Sequence, residues 1–350
     1  MGRRPGITAA MAIWLTAAAF TGLDGASVRA TRFAENPLLT LQSSPIIGDN
    51  ANGPTVIRVP DWMPRPLGRY YMYFAHHSGT FIRLAYADSL RGPWKVHGTG
   101  VLPVDQTAFF RPQPDPVNSP PGVYTHLASP EIYVDDVNRR LILWVHGMWT
   151  GGERWPDDRA AAARWVREKG YAQFTQAAES SDGLSFRTHP AITKQSYLRV
   201  FRHDGLFYGM ARLGQLLRAP DPLAAFEPGD SPFAGTPYAG RVRHVALLPE
   251  GSTLHVFFSA IGDAPEAILH TTIALAGDWR QWRIGEVDTV LQPEARYECP
   301  ELPNERSEVG EIDHPARQLR DPAVIRDRGR TFLFYTFCGE QGIAGAELNW

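Results

Sequence analysis

The sequence predicts an all-β fold: a five-bladed β-propeller with a short helical insertion in blade 2. Three observations carry that expectation. Short aromatic and β-branched runs recur along the chain, bounded by Gly, Pro, Asp or Ser. Five stretches repeat a strand–turn–strand–loop–strand pattern, with starts roughly 45 to 80 residues apart, the spacing of four-stranded blades carrying insertions. The composition, with 32 Gly, 29 Pro and 11% aromatic residues in 350, suits many strands joined by tight turns and not a helical bundle.

Taken in order, residues 1–30 read as a signal peptide and 31–350 as a single propeller domain. Arg3 and Arg4 precede an apolar stretch over 7–20, and Val28 and Ala30 offer small residues to a signal peptidase. The stretch is short for a bilayer span, so a cleaved signal is expected, with no membrane anchor and a periplasmic or secreted location.

Blade 1 is Pro54-Thr-Val-Ile-Arg-Val59, Arg69-Tyr-Tyr-Met-Tyr-Phe74 and Phe81-Ile-Arg-Leu-Ala-Tyr86. Blade 2 is Pro130-Glu-Ile-Tyr-Val134, Arg140-Leu-Ile-Leu-Trp-Val145 and Gln173-Phe-Thr-Gln-Ala-Ala178. Between its second and third strands, residues 158–169 contain Ala160-Ala-Ala-Ala-Arg-Trp165, good helix formers that predict the insertion. Blade 3 starts at Tyr197 and continues at Leu206, and blade 4 starts at Val242 and continues at Thr253. Blade 5 starts at Pro322 and has further strands from Arg330 and Ile343. The chain ends after that third strand, so residues 38–47 are expected to supply the outer strand and close the ring. Each blade exposes two apolar faces, and stacking around an axis buries both.

Charge excludes some partners. The 35 Lys and Arg nearly balance 37 Asp and Glu, so no net field draws the chain to nucleic acid. Cys299 and Cys338 are able to pair in an oxidising compartment, and the sequence leaves that open. A monomer is expected.

Strand direction predicts the site. Successive strands in a blade run oppositely, so the start of each inner strand shares a face with the loop after each second strand. Inner-strand starts supply Asn52, Glu131, Arg199, Arg243, His244, Arg320 and Asp321. The loops after second strands supply His76, His77, His146, Trp149, Arg212 and Glu340. Carboxylates, imidazoles, guanidinium groups and an indole around one mouth suit a polyhydroxylated ligand, an oligosaccharide or polysaccharide. No cofactor is expected. His244 and nearby carboxylates leave room for a divalent cation in the channel, but no ligand spacing names one.

Four short pieces carry a resemblance: Asn52-Gly-Pro-Thr-Val56, Gly92-Pro-Trp94, Ser129-Pro-Glu-Ile132 and Leu319-Arg-Asp-Pro-Ala323. Over residues 36–350 the chain resembles the five-bladed glycoside hydrolases of family 43 and its clan. The resemblance implies a base Asp at the first blade, a second-blade Asp that tunes the acid, and a third-blade Glu that is the acid. Glu131 stands at the second-blade position, one methylene longer. The first-blade position reads Asn52-Gly53 and the third-blade start reads Ser196-Tyr-Leu-Arg199, neither with a carboxylate. The simplest catalytic assignment is therefore Glu131 with Asp321, in an exported, exo-acting glycosidase. The other readings left open are a non-catalytic carbohydrate-binding propeller and a lyase or isomerase working with His and Arg. For Glu131 the structural alternative is a salt bridge to Arg199 or Arg320.

Overall fold

The structure, a computed structural model, describes residues 1–2, 28–110, 124–154 and 156–350. The signal-peptide expectation falls mainly on residues 3–27, outside the described ones. Five antiparallel sheets follow one another along the chain. Their inner strands are Asn52–Arg58, Ala128–Asp135, Arg199–His203, Val242–Glu250 and Arg320–Asp327, each paired with the next strand in sequence. This is the five-bladed propeller.

Apolar clusters occupy the blade interfaces, as the stacking argument requires. Tyr71, Tyr73 and Leu84 of blade 1 meet Leu141, Leu143 and Phe174 of blade 2. Ile142 and Trp144 meet Phe207 and Leu217 between blades 2 and 3, and Phe201 and Met210 meet Val256 and Phe258 between blades 3 and 4. Phe257 and Ile268 meet Leu333 and Tyr335 between blades 4 and 5, and Phe334 and Ile343 meet Met72 and Phe74 to complete the circle. Each buried Leu, Phe or Val contributes about 1.5–3 kcal/mol relative to exposure.

The helical insertion is Arg159–Lys169. Asp158 caps its start by accepting from the Ala161 amide at 2.7 Å, and Gly170 ends it in the left-handed conformation at φ 68°. Ala162 is buried against Met148 at the end of the second strand of blade 2, which fixes the helix beside the channel mouth.

Ring closure differs from the expectation. The outer strand of blade 5 is Arg29–Arg32, paired antiparallel with Gly342–Asn349 from Arg29–Asn349 to Arg32–Ala346. Within residues 38–47 only Leu39 and Thr40 form a strand, pairing with Ile343 and Gly342, and Leu41–Ser43 and Pro45–Ile47 form two 3-10 turns. The earlier segment takes the role because its flanks bury: Val28 and Phe33 are 4% and 3% exposed. A domain beginning at residue 31 would lose the first two pairs of this strand. Cys299 and Cys338 form a disulfide across a separation of 39 residues.

Candidate active site

Four inner strands begin with the same irregularity. The register shifts between Asn52 and Thr55, Ala128 and Glu131, Val242 and Val245, and Arg320 and Ala323. Such bulges re-aim the side chains they carry. In three of the four, the residue two before the later anchor has positive φ, 55° at Gly53, 44° at Ser129 and 50° at Asp321, and Tyr197, two before Arg199, has 60°. Positive φ is costly for Ser, Tyr and Asp, and their shared position marks the rim of the channel.

At this rim lies a cavity of about 620 Å³. His77, Tyr197, Arg212, Arg243, His244 and Glu340 line it, with Val166 of the insertion helix and Val309 as apolar walls. A cavity of similar size, about 640 Å³, lies away from the inner strands, and its carboxylate Glu179 is bound by Arg140 and Arg187.

His244 sits in the blade 4 bulge with its Nδ1 on Asp321 Oδ1 of the neighbouring blade. Asp321 is fully buried, and its other oxygen accepts from the Gly53 amide at 3.3 Å and the Thr336 hydroxyl at 3.4 Å. The His244 Nε2 is buried and has no partner among the described residues. Burial pushes this imidazole well below its usual range, and the guanidinium groups of Arg199 and Arg243 add to that. The ring is therefore neutral: Nδ1–H donates to Asp321 and Nε2 presents a lone pair.

A second imidazole is held in the same way. His77 Nδ1 lies 2.6 Å from Glu340 Oε2. Glu340 also accepts from Asn50 at 2.6 Å, Asn52 at 3.2 Å and Arg320 at 3.3 Å. Although burial opposes it, this set of partners, His77 foremost, holds the Glu340 carboxyl down at about 2. Behind the cavity the charges alternate: Arg243 bonds Glu266 at 2.7 and 3.1 Å, Glu266 is 3.5 Å from Arg320, and Arg320 reaches Glu340. This alternation compensates buried charges that would be costly alone.

An aromatic ladder crosses the mouth. Ring centroids lie 6.0 Å apart for His126–His146, 4.2 Å for His146–Tyr197 and 4.3 Å for Tyr197–His244. Burial pushes the His126 imidazole down to about 4 and His146 well below its usual range. The sign follows from linkage: an unfolded His binds its proton near pH 6.5, the folded one only near 4. Stability is thus complete above about pH 6.5 and falls as the pH drops from there toward 4. Between pH 7.5 and 4.5, His126 alone should remove roughly 2–3 kcal/mol, read as a lower urea midpoint. A midpoint unchanged across that range would contradict the neutral ladder.

No family model matches the chain. "Uncharacterized protein R118" of Acanthamoeba polyphaga mimivirus is 34% identical over 349 residues, an alignment covering 93% of this chain and 92% of the viral protein. The chain belongs to the family of that viral protein. Among solved structures it is similar to an alpha-L-arabinofuranosidase from Lactobacillus brevis, at 12% identity and TM-score 0.55, covering 90% of this chain and 93% of that one. It is also similar to a GH43 beta-xylosidase/alpha-arabinofuranosidase from a compost metagenome, at 12% identity and TM-score 0.53, covering 92% and 94%. The GH43 BlXynB protein of Bacillus licheniformis gives 13% and 0.53 over 93% of this chain, which spans only 55% of that protein's length. At these identities the likeness is one of fold: a divergent, glycoside hydrolase-like propeller.

In this member of the viral protein's family, the residues singled out by sequence divide in two. His77, Arg212, His244 and Glu340 line the cavity, with Asn52, Asp321 and Arg320 directly behind them. Glu131 is elsewhere engaged: it accepts from Arg199 at 2.8 Å, the Thr55 hydroxyl at 3.0 Å and the Val200 amide at 3.4 Å. Arg199 also donates to the carbonyls of Pro130, Pro54 and Val245, tying blades 1, 2 and 4 together across the channel. The salt bridge is thus the observed state of Glu131, and neither it nor Asp321 lines the cavity as one of two free carboxylates. His76 binds the exposed Asp49 at 2.6 Å, and Trp149 packs on Tyr171 and Phe174 at 5.4 and 5.5 Å. His146 is 1% exposed and acts through the ladder. Tyr197 and Lys194 line the cavity but were not among the expected site residues. Tyr197 was readable in principle, by aligning the blade starts on their bulges.

Proposed function

We propose that the protein is an exported carbohydrate-active enzyme that cleaves glycosidic bonds at the propeller mouth. The observation that carries this reading is His244, which lines the cavity, is anchored by Asp321 and has an Nε2 with no partner among the described residues. In hydrolysis, Nε2 takes a proton from the attacking water as its oxygen bonds the sugar carbon. His77, backed by Glu340, gives a proton to the leaving oxygen as the C–O bond breaks. The arrangement is a pair of carboxylate-backed imidazoles where two free carboxylates were expected. Walls from Val166 and Val309 favour a chain end over a strand lying across the mouth, which supports exo action. Export is supported by the charged, apolar and small-residue pattern of the N-terminus and by the disulfide, which belongs to oxidising compartments.

The test is a panel of pentoside and hexoside oligosaccharides assayed for binding and new reducing ends. Binding with turnover is expected, binding without turnover would leave a lectin-like propeller, and neither would remove the proposal. One observation favours elimination as a second reading: Tyr197 is stacked between two imidazoles near Arg212, and its hydroxyl has no partner among the described residues. An unsaturated product absorbing in the ultraviolet would select it.

A further inference from the structure

The charges that face the cavity are unequal once those already paired are set aside. Among the described residues Glu340 is its one lining carboxylate, and it is covered by His77, Asn50, Asn52 and Arg320. Arg243 is equally committed, to Glu266 and to the carbonyls of Gly310 and Glu308. Two cations remain. Arg212 and Lys194 both line the cavity, both are exposed, and neither has an ion pair among the described residues.

Arg212 is held in place by its backbone. It opens the turn after the second strand of blade 3, its amide donates to the Ser196 carbonyl at 2.9 Å, and Leu213 follows at φ 62°. That bond sets Arg212 beside the strand entry carrying Tyr197. Its exposed side chain lines the same cavity as Tyr197 and His244 of the aromatic ladder. The exposed Glu311 is felt at Tyr197, but it lines a neighbouring groove and leaves Arg212 unpaired.

We infer that the cavity selects an acidic sugar, a hexuronate unit whose carboxylate is bound by Arg212 and Lys194. This rests on the reading that the mouth takes carbohydrate. A planar guanidinium matches a carboxylate with two parallel hydrogen bonds, and Lys194 adds a point charge from the end of blade 2. The sugar ring then lies against Tyr197, with His244 lining the same cavity. Because both cations are exposed, the preference weakens as salt rises.

The experiment compares an oligogalacturonate with its carboxyl-reduced counterpart, two ligands that differ only in the charged group. Calorimetry on the full protein should give a Kd about 10- to 100-fold lower for the acidic member, the range of a charge-assisted hydrogen bond. Arg212→Met should bring the two together, and Lys194→Met should do so in part, by weakening only the acidic ligand. Equal affinity of the wild type for both ligands overturns the inference and leaves the carbohydrate reading standing. Acidic preference unchanged in the double variant overturns the assignment of these residues. Binding of neither member, nor of any neutral oligosaccharide, overturns both readings together. Unchanged urea midpoints in the variants separate lost recognition from lost folding.

Discussion

Replacing His244 by glutamine should lower kcat/KM by about 10²–10⁴-fold while leaving the urea midpoint within roughly 1 kcal/mol of wild type. The amide fills most of the ring's space but cannot take a proton at Nε2. Asp321→Asn should fall in the same direction through a different route. Asp321 fixes which nitrogen of His244 carries the hydrogen, and an asparagine can offer an N–H where the imidazole also offers one. Asp321 touches no cavity surface, so it is a positioning residue, and the pH profile distinguishes it from a structural one. Burial keeps His244 neutral, so the acid limb of kcat/KM should lie below the usual imidazole range in the wild type. In Asp321→Asn the whole profile should shift or lose that limb, which a merely loosened fold would not do. Wild-type rates in both variants would remove His244 from the chemistry.

The outcome for Glu131 shows where sequence reasoning stops. Its place after Ser129-Pro130 was legible, and so was its inward position on an inner strand. A salt bridge to Arg199 or Arg320 was legible as its alternative, but not which of the two forms it. Arg199 comes from blade 3, 68 residues away, and only the closure of the ring decides that its guanidinium spans the channel to Glu131. His244 and Asp321 are separated by 77 residues and meet for the same reason. Blade order, inner-strand starts and the helical insertion rest on local signals, namely strand periodicity, turn residues and helix propensity, and those were sufficient. The closing strand was misplaced because Arg29–Arg32 has only four residues, three of them polar, so its residue types carry no hydrophobic signal. Besides its buried flanks it is held by Glu298, a long-range partner of Arg32. Tyr197 was hidden differently: a Tyr at positive φ breaks local preference, and such breaks are expected where a site is built.

Glu298→Gln should destabilise the fold by about 3–5 kcal/mol, the cost of removing one member of a buried ion pair, with little direct effect on the chemistry at the mouth. Glu298 is fully buried and accepts from Arg32 Nε at 2.8 Å and Nη2 at 2.9 Å. It also accepts from the Tyr335 hydroxyl and from the amides of Glu294 and Ala295, each at 2.8 Å. One carboxylate thus joins the closing strand, blade 5 and the loop leading out of blade 4. A glutamine keeps a carbonyl for some of those donors but offers an N–H to another, and it leaves the half-buried Arg32 with only the exposed Glu294, at 3.4 Å, as counter-charge. The next residue, Cys299, is tied to Cys338 across 39 residues, a loop whose closure entropy contributes about 4 kcal/mol in the chain-entropy model. The two devices hold the same loop, so their losses should not add. Reduction in the Glu298→Gln background should cost a different amount from reduction in the wild type, by more than roughly 0.5 kcal/mol. Strict additivity in that cycle would mean that closure of the ring and anchoring of the loop are independent. The shared loop predicts instead that a ring opened at Arg32 lets the turn carrying Cys338 and Glu340 loosen, and through Glu340 the His77 imidazole at the mouth.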